Sequence, residues 1–422
     1  MQLKVLPAIA LRGALALPAS KSYSIRSFFV AACGGRSRII NPSDCDDAVV
    51  ALAIARAFGS RVRAIKSGYE VSAGPVAATR PLKVKVRESG TSLRFVLPLL
   101  PFFSSTAEVN GSGTLVGRPN HHLCAALRDC GLLIQGAGAK ESVPVIYSGG
   151  TLTGGRIVID GSLSSQFVSA LMIAAPLAQK DTRLVMAGDS LVSRDYVVMT
   201  RQILARAGIQ VVPKGRREFL IPGGQGYKGL KNFKVPSDLG LAAFFMVAAA
   251  LVPADITLQG FFDDSLVQSD GAILGFLAKM GLKFTRTAHA IKIKGPQRLQ
   301  GGVFSLKDCP DLVPIMAVAA MFASGPVRLK DIGHARVKES DRISDLRKEL
   351  LKVGANIEEK PDEMLISPGV AYKSGVTLDP HNDHRLAMAF AVLGLKLGVK
   401  VDNIECTKKS YPGFVKALAS VR

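Results

Sequence analysis

Residues 237–252 read SDLGLAAFFMVAAALV: two polar residues, then an unbroken apolar run. Alanine, leucine, phenylalanine and methionine suit a helix, and a helix that is apolar on every side has to be buried. The run stops short of the roughly 18 residues that a membrane span needs, so protein must cover it. Working outward, the same succession starts at Ser164 (SSQFVSALMIAAPLA), Ser89 (SGTSLRFVLPLL) and Ser20 (SKSYSIRSFFVAAC), and later at Pro310 (PDLVPIMAVAAMFA) and Asn382 (NDHRLAMAFAVLGL). Spaced by roughly 70 residues, these starts are a repeat.

Each apolar run leads into a β-rich stretch: RSRIIN, STAEVNG, DTRLVMAG, ADITLQG, GPVRLKD and VKVDNIEC. A second, amphipathic helix follows, as in DDAVVALAIARAFG, RDYVVMTRQILARAG and ESDRISDLRKELLKVG, and most of these end at a glycine suited to a left-handed cap. Each unit therefore reads as strand, helix, strand, helix and further strands. The fold class is α/β, with two similar globular domains of three such repeats and their first helices buried. One domain is expected to combine residues 1–19 with 235–422, the other to be inserted at 20–234. Lys21 and Val235 flank the two crossovers, which places the expected active site in the interdomain cleft.

The composition agrees. With 422 residues and 48% hydrophobic content the chain can bury large cores. Six cysteines (Cys33, Cys45, Cys124, Cys130, Cys309, Cys406) lack zinc-ligand spacing and suit a reducing cytoplasm. Neither a signal peptide nor a membrane span is legible, so a cytoplasmic protein with no membrane partner is expected. Lys and Arg exceed Asp and Glu by 54 to 33, a net charge of +21, which calls for anionic partners.

The polar residues of the six runs crowd at their N-termini. Ser, Asp and Asn there are helix caps in the simplest reading. Helix starts also present free N–H groups and a partial positive charge, and cations beside several of them would turn them into anion sites. Three stretches carry such cations: LPASKSYSIR with Lys21, Ser22 and Arg26; HARVKESDRISDLRKEL with Lys338, Glu339, Asp341 and Arg342; and DPHNDHRLAMAF with Asp383, His384 and Arg385.

These residues resemble the 5-enolpyruvylshikimate-3-phosphate synthase family, the 3-phosphoshikimate 1-carboxyvinyltransferases. LPASKSYSIR, ESGTSLR, VGRP, GSLSSQF, VSRDY, PDLVPIMA, RVKESDRI, NDHRLAMAF and CTKKSYP occur in the family's order along nearly the whole chain. The resemblance implies an inverse α/β barrel, the enolpyruvyl transferase fold. It also implies transfer of the enolpyruvyl group of phosphoenolpyruvate to the 5-hydroxyl of shikimate 3-phosphate by addition and elimination, on the way to chorismate and aromatic amino acids. No cofactor or metal is implied, and a monomer is expected.

By the same resemblance Lys21, Arg118, Gln166 and Lys409 hold the phosphate of phosphoenolpyruvate. Arg342 and Arg385 take its carboxylate, a group matched by planar guanidinium forks, and Gly90 lets backbone approach. Shikimate 3-phosphate falls to Ser22 and Arg26 on its carboxylate side and to Ser164, Ser165, Ser193 and Lys338 on its phosphate, with Lys21 and Gln166 in reach of both substrates. Asp311 corresponds to the general base at the 5-hydroxyl. Glu339 corresponds to the acid at the methylene carbon, with Lys21 a competing or assisting donor, or with Asp311 and Glu339 exchanging roles between the two steps. Arg94, Tyr196, Asp238, His334, Asp383 and His384 stand behind these ligands.

Departures from the family pattern are Glu88 and Ser89 in place of Asn-Ala, Phe95 for Pro, Asp195 for Pro and His334 for Asn. The sister transferase acting on UDP-N-acetylglucosamine carries a reactive cysteine five residues before the arginine of its Arg-Pro pair; here that position is Gly113. An RNA-binding protein should show aromatic stacking platforms, yet aromatics make up 6% and Trp is absent, so no nucleic-acid partner is expected. His381 and His384 stand i,i+3 as metal ligands can, without a third ligand legible nearby.

Overall fold

The computed structural model describes residues 1–77, 80–188, 191–369 and 371–422. The chain divides into two compact units, Met1–Ala19 with Pro236–Arg422, and Ser20–Val235. The second boundary falls one residue later than the sequence pattern suggests. Val235 belongs to the inserted unit because its N–H donates to the carbonyl of Ile40 at 3.0 Å, extending the pairing of Phe233–Lys234 with Ile39–Ile40.

Among the described residues each unit holds three buried helices. In the inserted unit these are α1 (Lys21–Cys33), α2 (Gly90–Val96) and α3 (Ser165–Ala174); in the other they are α4 (Leu239–Leu251), α5 (Val313–Met321) and α6 (His384–Leu397). Every residue of α4 is buried, as an all-apolar helix requires. Truncating one of its large side chains, such as Phe244, would cost about 3–5 kcal/mol.

Within each unit the three helices pack on one another and three small sheets lie outside them. Among the described residues five of the six sheets have four strands, and one has three. Alternation explains their exposure: along Leu82–Arg87 the residues Leu82, Val84 and Val86 turn inward while Lys83, Lys85 and Arg87 face water. Among the described residues every sheet contains one parallel pair, and amphipathic helices such as His121–Asp129 and Ser344–Lys352 pack on neighbouring strands.

The two ends of the insertion complete sheets across long stretches of sequence. Leu11–Ala16 pairs in parallel with Ala254–Gln259 on the far side of the inserted unit, and Phe233–Lys234 returns to lie parallel to Ile39–Ile40. Among the described residues the last repeat shows no closing hairpin like those of the others. Its strand Val399–Val401 pairs instead with Leu3–Val5 from the chain start.

Candidate functional site

Five of the six buried helices begin with a side chain capping its own backbone: Ser20, Ser89, Ser164, Asp238 and Asp383 accept from N–H groups two or three residues on. The caps differ in charge between units. The inserted unit uses neutral serines, whereas the other uses Asp238 and Asp383 and places Asp311 in the turn before α5. The caps themselves are thus neutral in one unit, while the other presents helix starts capped or faced by carboxylates.

In the inserted unit, Lys21 lies 3.2 Å from Asp47, both largely buried. Asp47 opens the following amphipathic helix and is a partner that the sequence pattern did not single out. Arg94 donates from Nε to Asn120 Oδ1 (2.9 Å), from Nη1 to Gln166 Oε1 (3.2 Å) and from Nη2 to the carbonyl of Pro119 (3.3 Å). Gln166 in turn donates to Thr91 Oγ1 at 3.0 Å. A methyl group on Gly90 would fall 2.9 Å from Arg118 Nη1 and closer still to Arg94, so any side chain there would push the two guanidinium ends aside. Gly90, Arg94, Arg118 and Gln166 are therefore one cluster. Glu88 is turned away into the next loop, accepting from the N–H and hydroxyl of Thr114 at 3.1 and 2.8 Å.

Ser164 caps the N–H of Gln166 at 3.2 Å, and Ser165 beside it is buried. Ser193 sits at φ 55° before the helix Arg194–Arg206, and its buried hydroxyl has no hydrogen-bond partner among the described residues. Such an orphan oxygen fits a site that takes a polar ligand. Arg26 is wholly buried; it donates to Thr200 Oγ1 (2.8 Å) and to the carbonyls of Ser22 (3.1 Å) and Tyr196 (3.2 Å).

In the other unit the acidic and basic residues meet in one network. Arg342 Nη1 donates to Asp311 Oδ1 at 2.6 Å, Nη2 to Glu339 Oε2 at 2.9 Å, and Nε to Asp383 Oδ2 at 2.7 Å. Arg385 Nη2 reaches the other oxygen of Asp311 at 3.0 Å, and Lys409 lies 3.5 Å from Glu339. Arg342 also meets the second oxygen of Asp383 at 3.3 Å, so four carboxylate bonds engage a group with five N–H donors. Burial alone would pull its proton off more easily, but Asp383, Asp311 and Glu339 reverse this and hold it well above its ordinary value.

Asp270 is a further member that the repeat pattern concealed, because it lies in a short turn before the fourth unit's amphipathic helix. It stands 3.5 Å from Arg385 and against Gly240, and burial, with Asp311 next in importance, pushes its carboxyl up to about 7. His334 is pushed down to about 3 by burial and then by the charge of Lys338. His384 is buried with Nδ1 3.9 Å from Asp383. His381 faces Glu349 at 3.4 Å, and no group of three metal-ligating side chains stands together among the described residues. No helix there is long and apolar enough to cross a membrane.

Buried helices with polar starts, ringed by sheets, define an enolpyruvyl transferase fold. The structure superposes on EPSP synthase from Acinetobacter baumannii with a TM-score of 0.80 and 27% identity, covering 100% of this chain and 98% of that one. The enolpyruvyl transferase NikO from Streptomyces tendae shares the fold at a TM-score of 0.78 and 18% identity, over 100% and 97% of the two chains. Residues 6–418 match the family EPSP synthase (3-phosphoshikimate 1-carboxyvinyltransferase), and the chain belongs to it. Similar proteins include the 3-phosphoshikimate 1-carboxyvinyltransferases of Ruminiclostridium cellulolyticum, 35% identical over 97% of this chain and 96% of the relative, and of Sulfurovum sp., 33% identical over 97% of both.

Proposed function

We propose that the chain transfers the enolpyruvyl group of phosphoenolpyruvate to the 5-hydroxyl of shikimate 3-phosphate, and that the clusters of the two units serve this one reaction. The observation that carries the reading is Arg342 bonded to both Asp311 and Glu339, the pair matched to the family's base and acid. A guanidinium held between two carboxylates keeps both at fixed positions, and proton transfer needs position before it needs a matched pKa.

In the inserted unit Lys21, Gly90, Arg118 and Gln166 are assigned to phosphoenolpyruvate, together with Lys409 from the other. Ser22, Arg26, Ser164, Ser165 and Ser193, with Lys338, are assigned to shikimate 3-phosphate. The orphan hydroxyl of Ser193 supports its part in the phosphate site. Arg385 and the one remaining N–H of Arg342 would take the carboxylate of phosphoenolpyruvate. At Arg385 that carboxylate competes with Asp311 for the same guanidinium, so its arrival loosens this one bond of Asp311 and leaves that oxygen freer to accept the 5-hydroxyl proton. The alkoxide oxygen then bonds to C2 of phosphoenolpyruvate as C3 gains a proton from Glu339 or Lys21. A proton then leaves C3 for Glu339 or Lys21, whichever gave it, phosphate leaves C2, and the double bond is restored. Atoms balance with phosphate as the second product.

The chain acts as a cytoplasmic monomer in this reading, and its six unbridged cysteines suit the reducing compartment. Gel filtration at the mass of one 44.7 kDa chain supports that part, and elution at twice the mass contradicts it. The function itself is tested by phosphate release from phosphoenolpyruvate with and without shikimate 3-phosphate. Release that depends on shikimate 3-phosphate supports it, and release indifferent to it rejects it.

A further inference from the structure

Arg26 is the one buried guanidinium of α1, and it has no carboxylate partner among the described residues. Taking such a group out of water without a counter-charge is costly. Its three acceptors are a hydroxyl and two carbonyls, which leaves two of its five N–H donors for something else. Two aromatic rings supply the remaining contact. The guanidinium carbon lies 5.4 Å from the ring centre of Phe95 and 5.6 Å from that of Tyr196. Phe95 is itself fully buried and is fixed edge-on by Phe29, ring centres 5.4 Å apart at 83°. Phe95 is one of this chain's departures from the family pattern, so the platform it offers Arg26 belongs to this sequence.

We propose that Phe95 is a positioning residue for Arg26, fixing the guanidinium so that its two spare N–H groups meet the carboxylate of the acceptor substrate. The proposal rests on the functional reading given above and extends it to acceptor selectivity. A ring face stabilises a desolvated cation without taking any of its hydrogen-bond donors. An aspartate at the same place would satisfy the charge and use the donors, and would repel the incoming carboxylate. Burial, opposed by Tyr196 and Tyr23, lowers Arg26 to about 10, which still leaves it charged at neutral pH.

The experiment is a double-mutant cycle on KM for shikimate 3-phosphate, with Phe95→Leu and Arg26→Lys made singly and together. Phe95→Leu should raise that KM about threefold to tenfold, with kcat and KM for phosphoenolpyruvate within about twofold of the parent. In the Arg26→Lys background the same change should have almost no further effect, because an ammonium has no planar two-point fork for the ring to hold in register with a carboxylate. Equal effects of Phe95→Leu in both backgrounds, or an equal rise in KM for phosphoenolpyruvate, would overturn the proposal. Phe95→Met also removes the ring face, fills the gap with a more adaptable side chain, and serves the same cycle if the leucine variant does not fold. Absence of shikimate-dependent turnover in the parent chain would instead reject the functional reading, a different result from either.

Discussion

Arg342 and Asp383 form a two-point ion pair, Nε to Oδ2 at 2.7 Å and Nη2 to Oδ1 at 3.3 Å, with side chains 1% and 0% exposed. Asp383 also caps α6 through the N–H of Arg385 at 2.8 Å. One carboxylate therefore sets both the plane of Arg342 and the start of the helix bearing Arg385, and these two arginines hold Asp311 between them.

Removing the charge of Asp383 should damage both stability and turnover. Asp383→Asn leaves Arg342 facing an amide, and breaking one side of a buried pair typically costs about 3–5 kcal/mol. We expect denaturant unfolding to show a loss of that order, and kcat to fall more than tenfold as Asp311 and Glu339 lose their shared support. A variant with parental stability and kcat would contradict the role given to this pair.

Asp270 makes a prediction about pH. Its carboxyl is raised to about 7 from an unfolded value near 3.9, so the folded state binds the proton more tightly. Its contribution is fully present below pH 4 and is lost as pH rises through 7. Asp270→Asn lacks this loss. The Tm of the variant, measured against the parent, should therefore improve steadily from pH 4 to pH 7; a difference that stays flat or moves the other way refutes the assignment.

His334 works in the opposite direction. Depressed to about 3 against an unfolded value near 6.5, it is carried neutral by the fold, while the unfolded chain takes up a proton. Its stability contribution is present above pH 6.5 and is lost as pH falls toward 3, at no more than about 1.4 kcal/mol per pH unit. His334→Asn, which restores the residue common in the family, should abolish that acid loss in a Tm series. An unchanged acid limb would show that the imidazole is not held neutral.

The six buried helices were legible because an apolar run with a polar start can satisfy its chemistry in few ways, and α4 is the clearest case. The candidate site was legible as residue types on motifs: Lys21, Asp311, Glu339, Arg342 and Arg385 stand in stretches that a sequence can display. The pairings were not. Asp47 and Asp270 sit in helix starts that also read as ordinary first-turn acids, and only the fold brings one to Lys21 and the other to Arg385. Likewise Leu11–Ala16 finds Ala254–Gln259 across the whole inserted unit, a match set by the closing of a sheet rather than by local pattern. Phe95 reads in the sequence only as a departure from the family pattern that bears on substrate affinity, and the fold alone puts its ring against Arg26.

The central claim is enolpyruvyl transfer between two phosphorylated carboxylates, and phosphorus NMR of a mixture of both with the enzyme tests it most directly. The phosphate signal of phosphoenolpyruvate should give way to inorganic phosphate, one for each acceptor consumed, while the acceptor's own phosphate remains bonded and only shifts as the 5-oxygen becomes an enol ether. Inorganic phosphate formed without the acceptor, or drawn from the acceptor's own phosphate, would contradict the account.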